Sequence, residues 1–315
     1  MSGTKYNAEM SVTECPTDLE PGHESPAPAG RRRRLGPIGV WPTLLTLGNL
    51  VSGFAAIHYA AKPVGPDLAF GPWGWSSLTV AASLVLLGTV LDAFDGAVAR
   101  LTNSVTELGG QLDSFADIVT FGVAPAFIML NLLSQYLGTG ETIVSPDAGN
   151  TLGKFCWAIA AIYVCCAALR LARFNVETAS GRLGDHMNFR GLPTPGAAGA
   201  VVGLVILHEH LEHIRQGSEH SILSAVAAGI VLLVPVITLI SAIMMVSAVP
   251  YSHMANRYLR GSRSFGYLVR VVAVLSLAVW WLQETLAIVF VLYVLSGPWR
   301  MFFRKDDSAS GVEVE

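Results

Sequence analysis

Four aspartates lie close together in the chain, at the ends of two otherwise apolar stretches, and their spacing matches the helical period. The first group follows the spacing i, i+3, i+4 and i+7 and consists of Asp92, Asp95, Gly96 and Ala99. The second group follows the spacing i, i+4 and i+8 and consists of Gly109, Asp113 and Asp117. Residues at these offsets share one face of an α-helix. A connection near 101–108 lets the two helices pack antiparallel, so we expect the two stripes to face each other.

Carboxylates held together in this way repel one another strongly unless cations neutralise them. Oxygen-only ligands favour hard divalent ions, so the cluster predicts Mg²⁺ or Mn²⁺. Facing carboxylates can hold two such ions roughly 3.5–4 Å apart, which is the arrangement used for displacement at phosphorus. Gly96 and Ala99 leave the stripe without bulky side chains, so a phosphorylated ligand can approach the backbone. The alternative, acids that merely reach towards a membrane surface, predicts scattered positions rather than two in-phase stripes.

The elements that carry these aspartates are expected to be membrane-spanning helices. Hydrophobic residues make up 52% of the 315-residue chain and charged residues only 14%, well below the roughly 25% charged fraction of soluble domains. Apolar runs long enough to cross a bilayer occur at about 38–60, 74–94, 113–137, 152–173, 194–213, 222–248, 266–283 and 285–303. The sequence therefore predicts an all-α polytopic bundle with about eight transmembrane helices. The last two runs could instead form one long bent helix.

Basic residues orient this bundle, because cytoplasmic loops carry an excess of Lys and Arg. With a cytoplasmic N-terminus, fifteen basic residues fall inside: Arg31 to Arg34, Arg100, Arg170, Arg173, Arg182, Arg190, Arg257, Arg260, Arg263, Arg300, Arg304 and Lys305. Only three fall outside: Lys62, Lys154 and Arg215. Both termini are therefore predicted to be cytoplasmic. The aspartates then lie at the cytoplasmic face, which in a bacterium is that of the inner membrane.

Outside the bundle, the chain divides into short tails. Residues 1–30 are acidic and bear Pro and Gly, which predicts disorder, and the basic anchor Arg31–Arg34 follows them, so a disordered cytoplasmic tail is expected at 1–34. The membrane domain is expected at 35–305, and 306–315 form a second tail. The segment 208–213 carries three His and two Glu but does not match H-E-x-x-H, so we interpret it as a polar outer loop. The basic and aromatic surface of a nucleic-acid binder is missing from the sequence.

The complete aspartate pattern resembles the signature of the CDP-alcohol phosphatidyltransferase family. It runs Asp92-x-x-Asp95-Gly96-x-x-Ala99-Arg100, eight residues, then Gly109-x-x-x-Asp113-x-x-x-Asp117. The resemblance implies that Asp92, Asp95 and Asp113 ligate the metals, and that Asp117 completes the metal site and acts as the base that deprotonates the acceptor alcohol. It also implies a CDP pocket formed by Gly96, Ala99, Arg100 and Gly109, with Thr46 and Asn49 of the first helix. The implied donor is CDP-diacylglycerol, and homodimers are common in the family.

The next cytoplasmic stretch bears on the acceptor. Arg170 and Arg173 are spaced i, i+3 beside Asn175, and such planar cationic donors suit a carboxylate or a lipid phosphate. The stretch Leu169–Asn175 and the later Arg190-Gly191-Leu192-Pro193-Thr194-Pro195 resemble the phosphatidylserine synthase branch of the family, as does 245–251. Over about 40–255, the resemblance thus implies L-serine as acceptor, with Arg170, Arg173, Asn175 and Arg190 binding serine or lipid phosphate.

Three other functions stay open at this point. A sister transferase that uses glycerol 3-phosphate or inositol phosphate could employ the same arginines, and only the branch motifs argue against it. A polytopic prenyltransferase would need two aspartate motifs on well-separated helix pairs, whereas this chain has one compact cluster. A carboxylate-lined transporter would place its acids near the middle of the bilayer rather than at one end of the helices.

Overall fold

The computed structural model describes residues 40–62, 74–101, 107–137, 151–179, 191–215, 221–247, 249 and 281–303. All the regular elements in these ranges are helices, as the sequence predicts. Their bounds are α1 Val40–Ala60, α2 Ser77–Leu101, α3 Glu107–Asp117, a π-helical turn Ile118–Val123, α4 Ala124–Leu137, α5 Thr151–Ala179, α6 Thr194–Arg215, α7 Ser221–Val246 and α8 Leu282–Phe303.

Helix α6 lies at the centre of the described bundle. It packs against α2, α4, α7 and α8, and fourteen of its residues are buried. Three glycines on α6 allow the close approach of α8. A Cβ at Gly199 would lie 2.5 Å from the Phe290 ring, and one at Gly203 would lie 3.2 Å from the Ala287 backbone. Small residues at such positions let membrane helices come into backbone contact.

Within the described ranges, six helices are long and apolar enough to cross a membrane: 40–60, 77–99, 108–136, 151–177, 222–246 and 282–299. Large apolar side chains point away from the bundle on several of them, such as Phe54 on α1, which is 69% exposed. An apolar surface of this kind requires lipid rather than water. The chain is therefore an integral membrane protein. The predicted span at 266–283 lies almost wholly outside the described residues.

The π-helical turn interrupts what the sequence predicts as one regular span. Helix α3, the turn and α4 follow one another without a break from Glu107 to Leu137. The backbone N–H of Ala124 donates to the carbonyl of Val119, five residues earlier. Such i→i+5 turns are rare and occur mostly as single bulges inside α-helices, frequently at functional sites. Here the turn begins directly after Asp117.

The interpretation of 208–213 as a polar outer loop is wrong. These residues belong to α6, which continues to Arg215. His208 is fully buried, its Nδ1 lies 3.1 Å from the Ala227 carbonyl, and its ring stacks edge-on against Tyr136. Because neighbouring helices supply these partners, the polar end of α6 stays helical and packed.

Gly191 makes a close turn that joins two parts of the chain. Its φ is +91°, a left-handed conformation that favours glycine. A Cβ on this residue would lie 2.5 Å from the Met245 carbonyl oxygen. The N–H groups of Gly191 and Leu192 donate to the carbonyls of Val249 and Met244 at the end of α7. The segment that leads into α6 is thereby fixed against the end of α7.

Candidate active site

The two aspartate stripes face each other in the structure. Asp92 and Asp95 lie near the end of α2, and Asp113 lies on α3. One carboxylate oxygen of each lies within 4.8 Å of the others. Asp117 lies one turn further along α3, is 8% exposed and is close enough to interact electrostatically with all three. The helical period of the sequence was sufficient to predict this grouping.

Helix α1 contributes two side chains that hydrogen-bond to the aspartates. The Thr46 hydroxyl donates to Asp95 Oδ2 at 2.8 Å. The Asn49 amide donates to Asp117 Oδ1 at 3.2 Å, and Asn49 is fully buried. Thr46 and Asn49, which the resemblance assigns to a CDP pocket, thus contact the carboxylates directly. Each bond fixes one carboxylate oxygen of the cluster in place.

The donor set of this cluster fits a divalent cation. It consists of oxygen atoms from Asp92, Asp95 and Asp113, which hard ions prefer. Asp113 Oδ1 is buried and has no hydrogen-bond partner among the described residues. A buried carboxylate oxygen without a partner is costly, and a bound cation would remove that cost.

The small residues of the stripes border the carboxylate cluster. Gly96 and Ala99 continue the face of Asp92 and Asp95 on α2, and both are partly exposed. Gly109 lies one turn before Asp113 on α3 and is also partly exposed. Arg100 is in the last turn of α2, but its side chain lies outside the described part of the structure. The backbone near the cluster is therefore accessible on both helices.

The basic residues of α5 separate into two environments. Arg170 is half-buried, its Nη1 lies 3.4 Å from the Thr194 hydroxyl at the start of α6, and its charge interacts with that of Asp117. Its Nε atom is buried and has no partner within the described ranges. Arg173 instead forms a 2.8 Å ion pair with Glu177, and its side chain is 44% exposed. Of these two arginines, it is Arg170 whose charge interacts with an aspartate of the cluster.

Of the other two predicted acceptor residues, Asn175 and Arg190, the structure describes Asn175. The Asn175 amide donates to the Ser114 hydroxyl at 2.9 Å, which connects α5 to the residue after Asp113. This places Asn175 beside the aspartate stripe of α3. Arg190 lies outside the described residues.

Three residues near the site were given no individual role from the sequence. Thr120 donates a 2.9 Å hydrogen bond to the Asn49 carbonyl, Ser114 bonds to Asn175, and Thr194 holds Arg170. Each is a hydroxyl within or beside an apolar run, which is a weak signal by itself. Their partners lie on other helices, 24 to 71 residues away in the chain.

Comparison with known proteins bears on the chemistry of this site. The family model for CDP-alcohol phosphatidyltransferase matches residues 40–250. A Helicobacter pylori protein named CDP-diacylglycerol–serine O-phosphatidyltransferase is 31% identical over 200 residues, which cover 64% of this chain and 71% of the relative. Proteins of the same name match from Bacillus subtilis (32% identity, 51% of this chain, 72% of the relative) and Methanocaldococcus jannaschii (37%, 38% and 48%). With its aspartate cluster assembled between α2 and α3, the chain belongs to the CDP-alcohol phosphatidyltransferase family.

Proposed function

We propose that this protein transfers the phosphatidyl group of CDP-diacylglycerol to the hydroxyl of L-serine, giving phosphatidylserine and CMP. The observation that carries the proposal is the position of Arg170. Its half-buried guanidinium interacts electrostatically with the Asp117 carboxylate, and its Nε has no partner among the described residues. Family membership supports the donor and the reaction, and the names of the three relatives support serine as acceptor.

The four aspartates have two kinds of role in this proposal, metal binding and proton transfer. Asp92, Asp95 and Asp113 hold the divalent cations, two Mg²⁺ or Mn²⁺ ions, with Asp117 completing the site. When bound, these ions neutralise charge on the diphosphate of the donor. Asp117 accepts the proton of the serine hydroxyl as the serine oxygen bonds to the phosphorus that carries diacylglycerol. The bond from that phosphorus to the CMP oxygen breaks, and CMP leaves.

The proposed nucleotide pocket lies beside the aspartates. Gly96, Ala99 and Gly109 leave room for CDP at the backbone of α2 and α3, with Arg100 at the end of α2. Thr46 and Asn49 border this pocket from α1 while holding Asp95 and Asp117.

Arg170 binds the serine carboxylate, because a guanidinium offers two parallel donors to a carboxylate. Thr194 steadies the guanidinium from the start of α6. Arg173 is proposed to contact the lipid phosphate at the edge of the site, and Asn175 and Arg190 are proposed to contact that phosphate or serine.

An acceptor panel tests the proposal. Purified protein with CDP-diacylglycerol and Mg²⁺ or Mn²⁺ is offered serine, glycerol 3-phosphate or inositol phosphate, and CMP release is measured. Serine should give the fastest release, and ethanolamine, which lacks the carboxylate, should be a poor acceptor. Faster release with glycerol 3-phosphate or inositol phosphate would refute the serine assignment but leave family membership intact.

The proposed topology has eight membrane spans, both termini and the active site in the cytoplasm, and an assembly of two copies. It comprises the tail 1–34, the domain 35–305 with its catalytic core at 40–255, and the tail 306–315. In a cysteine-free variant expressed in cells, an impermeant maleimide should label a cysteine at position 217 from outside. A cysteine at position 310 should react only after permeabilisation. The reverse pattern would refute the orientation.

A further inference from the structure

The direction of the Asp117 side chain depends on the backbone that follows it. Asp117 ends α3, and the next six residues, Ile118–Val123, form the π-helical turn. A π turn holds one more residue per hydrogen-bonded loop than an α turn. It therefore changes the rotational relation between Asp117 and all of α4. Contacts that stabilise this turn also determine where the Asp117 carboxylate lies.

Helix α1 hydrogen-bonds to the turn through Asn49. The amide of Asn49 donates to Asp117 Oδ1 at 3.2 Å, while the Asn49 carbonyl accepts a 2.9 Å bond from the Thr120 hydroxyl. Ser52 donates to the same carbonyl at 2.7 Å. Asn49 thus contacts Asp117 and the third residue of the turn at once. Thr120 and Asn49 are both fully buried, so water does not compete for these bonds.

Helix α5 holds the turn from another side. The Tyr163 hydroxyl donates to the Phe121 carbonyl at 3.0 Å, in the middle of the turn. Tyr163 and Phe121 are among the largest fully buried side chains of the described core. A buried hydroxyl must find a partner, and here that partner is the main chain of an irregular turn. Within the described contacts, the hydroxyl therefore bonds to the turn rather than to another side chain.

Two glycines bring the neighbouring helices close enough for these bonds. A Cβ at Gly88 of α2 would lie 2.5 Å from Thr120 Cγ2 and 2.8 Å from Asn49 Oδ1. A Cβ at Gly53 of α1 would lie 2.8 Å from Thr120 Cα. Because neither glycine has a side chain, Thr120 fits between α1 and α2. The turn is thus enclosed by α1, α2 and α5.

We propose that Tyr163 and Thr120 are positioning residues for Asp117, which hold the π-helical turn in the conformation that directs its carboxylate at the acceptor hydroxyl. This inference rests on the proposed function, because it assumes that Asp117 is the base. Neither residue touches the substrates in this role. They act through Asn49 and through the main chain at Phe121.

The test removes one hydroxyl at a time from the full-length enzyme. In Tyr163→Phe and Thr120→Val, kcat with serine should fall by about tenfold to a hundredfold, the loss expected when a catalytic group moves by a fraction of an ångström to 1 Å. The KM for CDP-diacylglycerol should stay unchanged. Hydrogen exchange at the amides of 117–124 should become faster. Thr120→Ser, which keeps the hydroxyl, should retain most of the parent kcat.

Thr238→Val is the matched control. Thr238 is a fully buried threonine on α7 whose hydroxyl bonds to a carbonyl of its own helix, that of Val234, at 2.8 Å. This variant loses the same atom, so it reports the cost of removing a buried hydroxyl as such. Its kcat and the exchange at 117–124 should match those of the parent enzyme.

Several results would overturn the inference. If kcat is unchanged in both test variants, or is lowered equally in the Thr238 control, Tyr163 and Thr120 have no positioning role. A raised donor KM with unchanged kcat would mean that the turn serves binding instead. Asp117→Asn separates the base assignment of Asp117 from the positioning role of Tyr163 and Thr120. If Asp117→Asn abolishes turnover while Tyr163→Phe and Thr120→Val leave turnover unchanged, only the positioning role is wrong. If Asp117→Asn retains turnover, the base assignment is wrong as well.

Discussion

Replacement of Arg170 by lysine tests how the acceptor is held. Lysine keeps the positive charge but lacks the planar fork that binds a carboxylate through two parallel hydrogen bonds. In the structure the guanidinium is half-buried, with Nη1 near Thr194 and Nε without a partner in the described ranges. The free Nε and its neighbouring nitrogen are the groups that we expect to meet serine.

The expected magnitude follows from one lost bond. A hydrogen bond to a charged group contributes roughly 1.5–3 kcal/mol, which corresponds to about a tenfold to hundredfold change in an equilibrium constant. The KM for serine should rise by that factor in Arg170→Lys. The KM for CDP-diacylglycerol should change little. Thr194→Val should have a smaller effect, because it removes only a long neutral partner of the guanidinium, at 3.4 Å.

The assay measures CMP release at varied serine and saturating CDP-diacylglycerol, then the reverse. Arg173→Lys is the matched control, since Arg173 lies three residues away on the same helix but pairs with Glu177 at the surface. Its serine KM should stay close to that of the parent. A rise in the donor KM of Arg170→Lys, with serine unaffected, would show that Arg170 holds the lipid phosphate. Equal effects at both arginines would contradict the separation of their environments.

Three further predictions concern the aspartates and the packing around them. Conversion to Asn of any one of the three proposed metal ligands, Asp92, Asp95 or Asp113, should abolish transfer, and a chelator should do so reversibly; full activity after chelation would refute metal dependence. Asp117→Asn should lower kcat by about 10² to 10⁴ while calorimetry still detects donor binding, and a parallel loss of binding would make Asp117 mainly a ligand. Gly88→Ala should lower the free energy of unfolding by about 1–3 kcal/mol, because its Cβ would overlap Thr120 and Asn49. Thermal unfolding in detergent measures this against Gly229→Ala, where a Cβ meets no atom within 4 Å, and equal stability of the two variants would contradict the predicted overlap.

The sequence predicts those parts of the structure that a local period determines. Apolar run lengths gave the approximate positions of the described helices, and the i, i+4 spacing of Asp113 and Asp117 placed them on one face. Helix α6 is an element whose end could not be predicted from hydropathy. It is enclosed by protein, so it needs no continuous apolar surface, and its last turns carry polar residues that the sequence alone suggested were a loop.

Contacts between distant residues could not be predicted in the same way. Asn49 and Asp117 are 68 positions apart, and no periodic pattern relates them. Arg170 and Arg173 look equivalent in the sequence because both follow the same helical spacing. Their difference arises from Thr194 on another helix and from Glu177 one turn later. Which partner each arginine contacts thus depends on how the helices pack, and the sequence pattern does not contain that information.

The π-helical turn has a consequence for the tolerance of this segment to insertions and deletions. Removing one residue between Ile118 and Val123 would allow a regular α-helix, because a π turn holds one more residue per hydrogen-bonded loop than an α turn. That wider loop already takes up the extra residue, so α3 and α4 would keep nearly the same rotation relative to each other. In a regular stretch such as α5, the same deletion would rotate everything beyond it by roughly 100°, the angle of one helical residue. A one-residue deletion is therefore expected to disturb the packing of the bundle least at this turn, although it would remove the wider loop that Thr120 and Tyr163 contact.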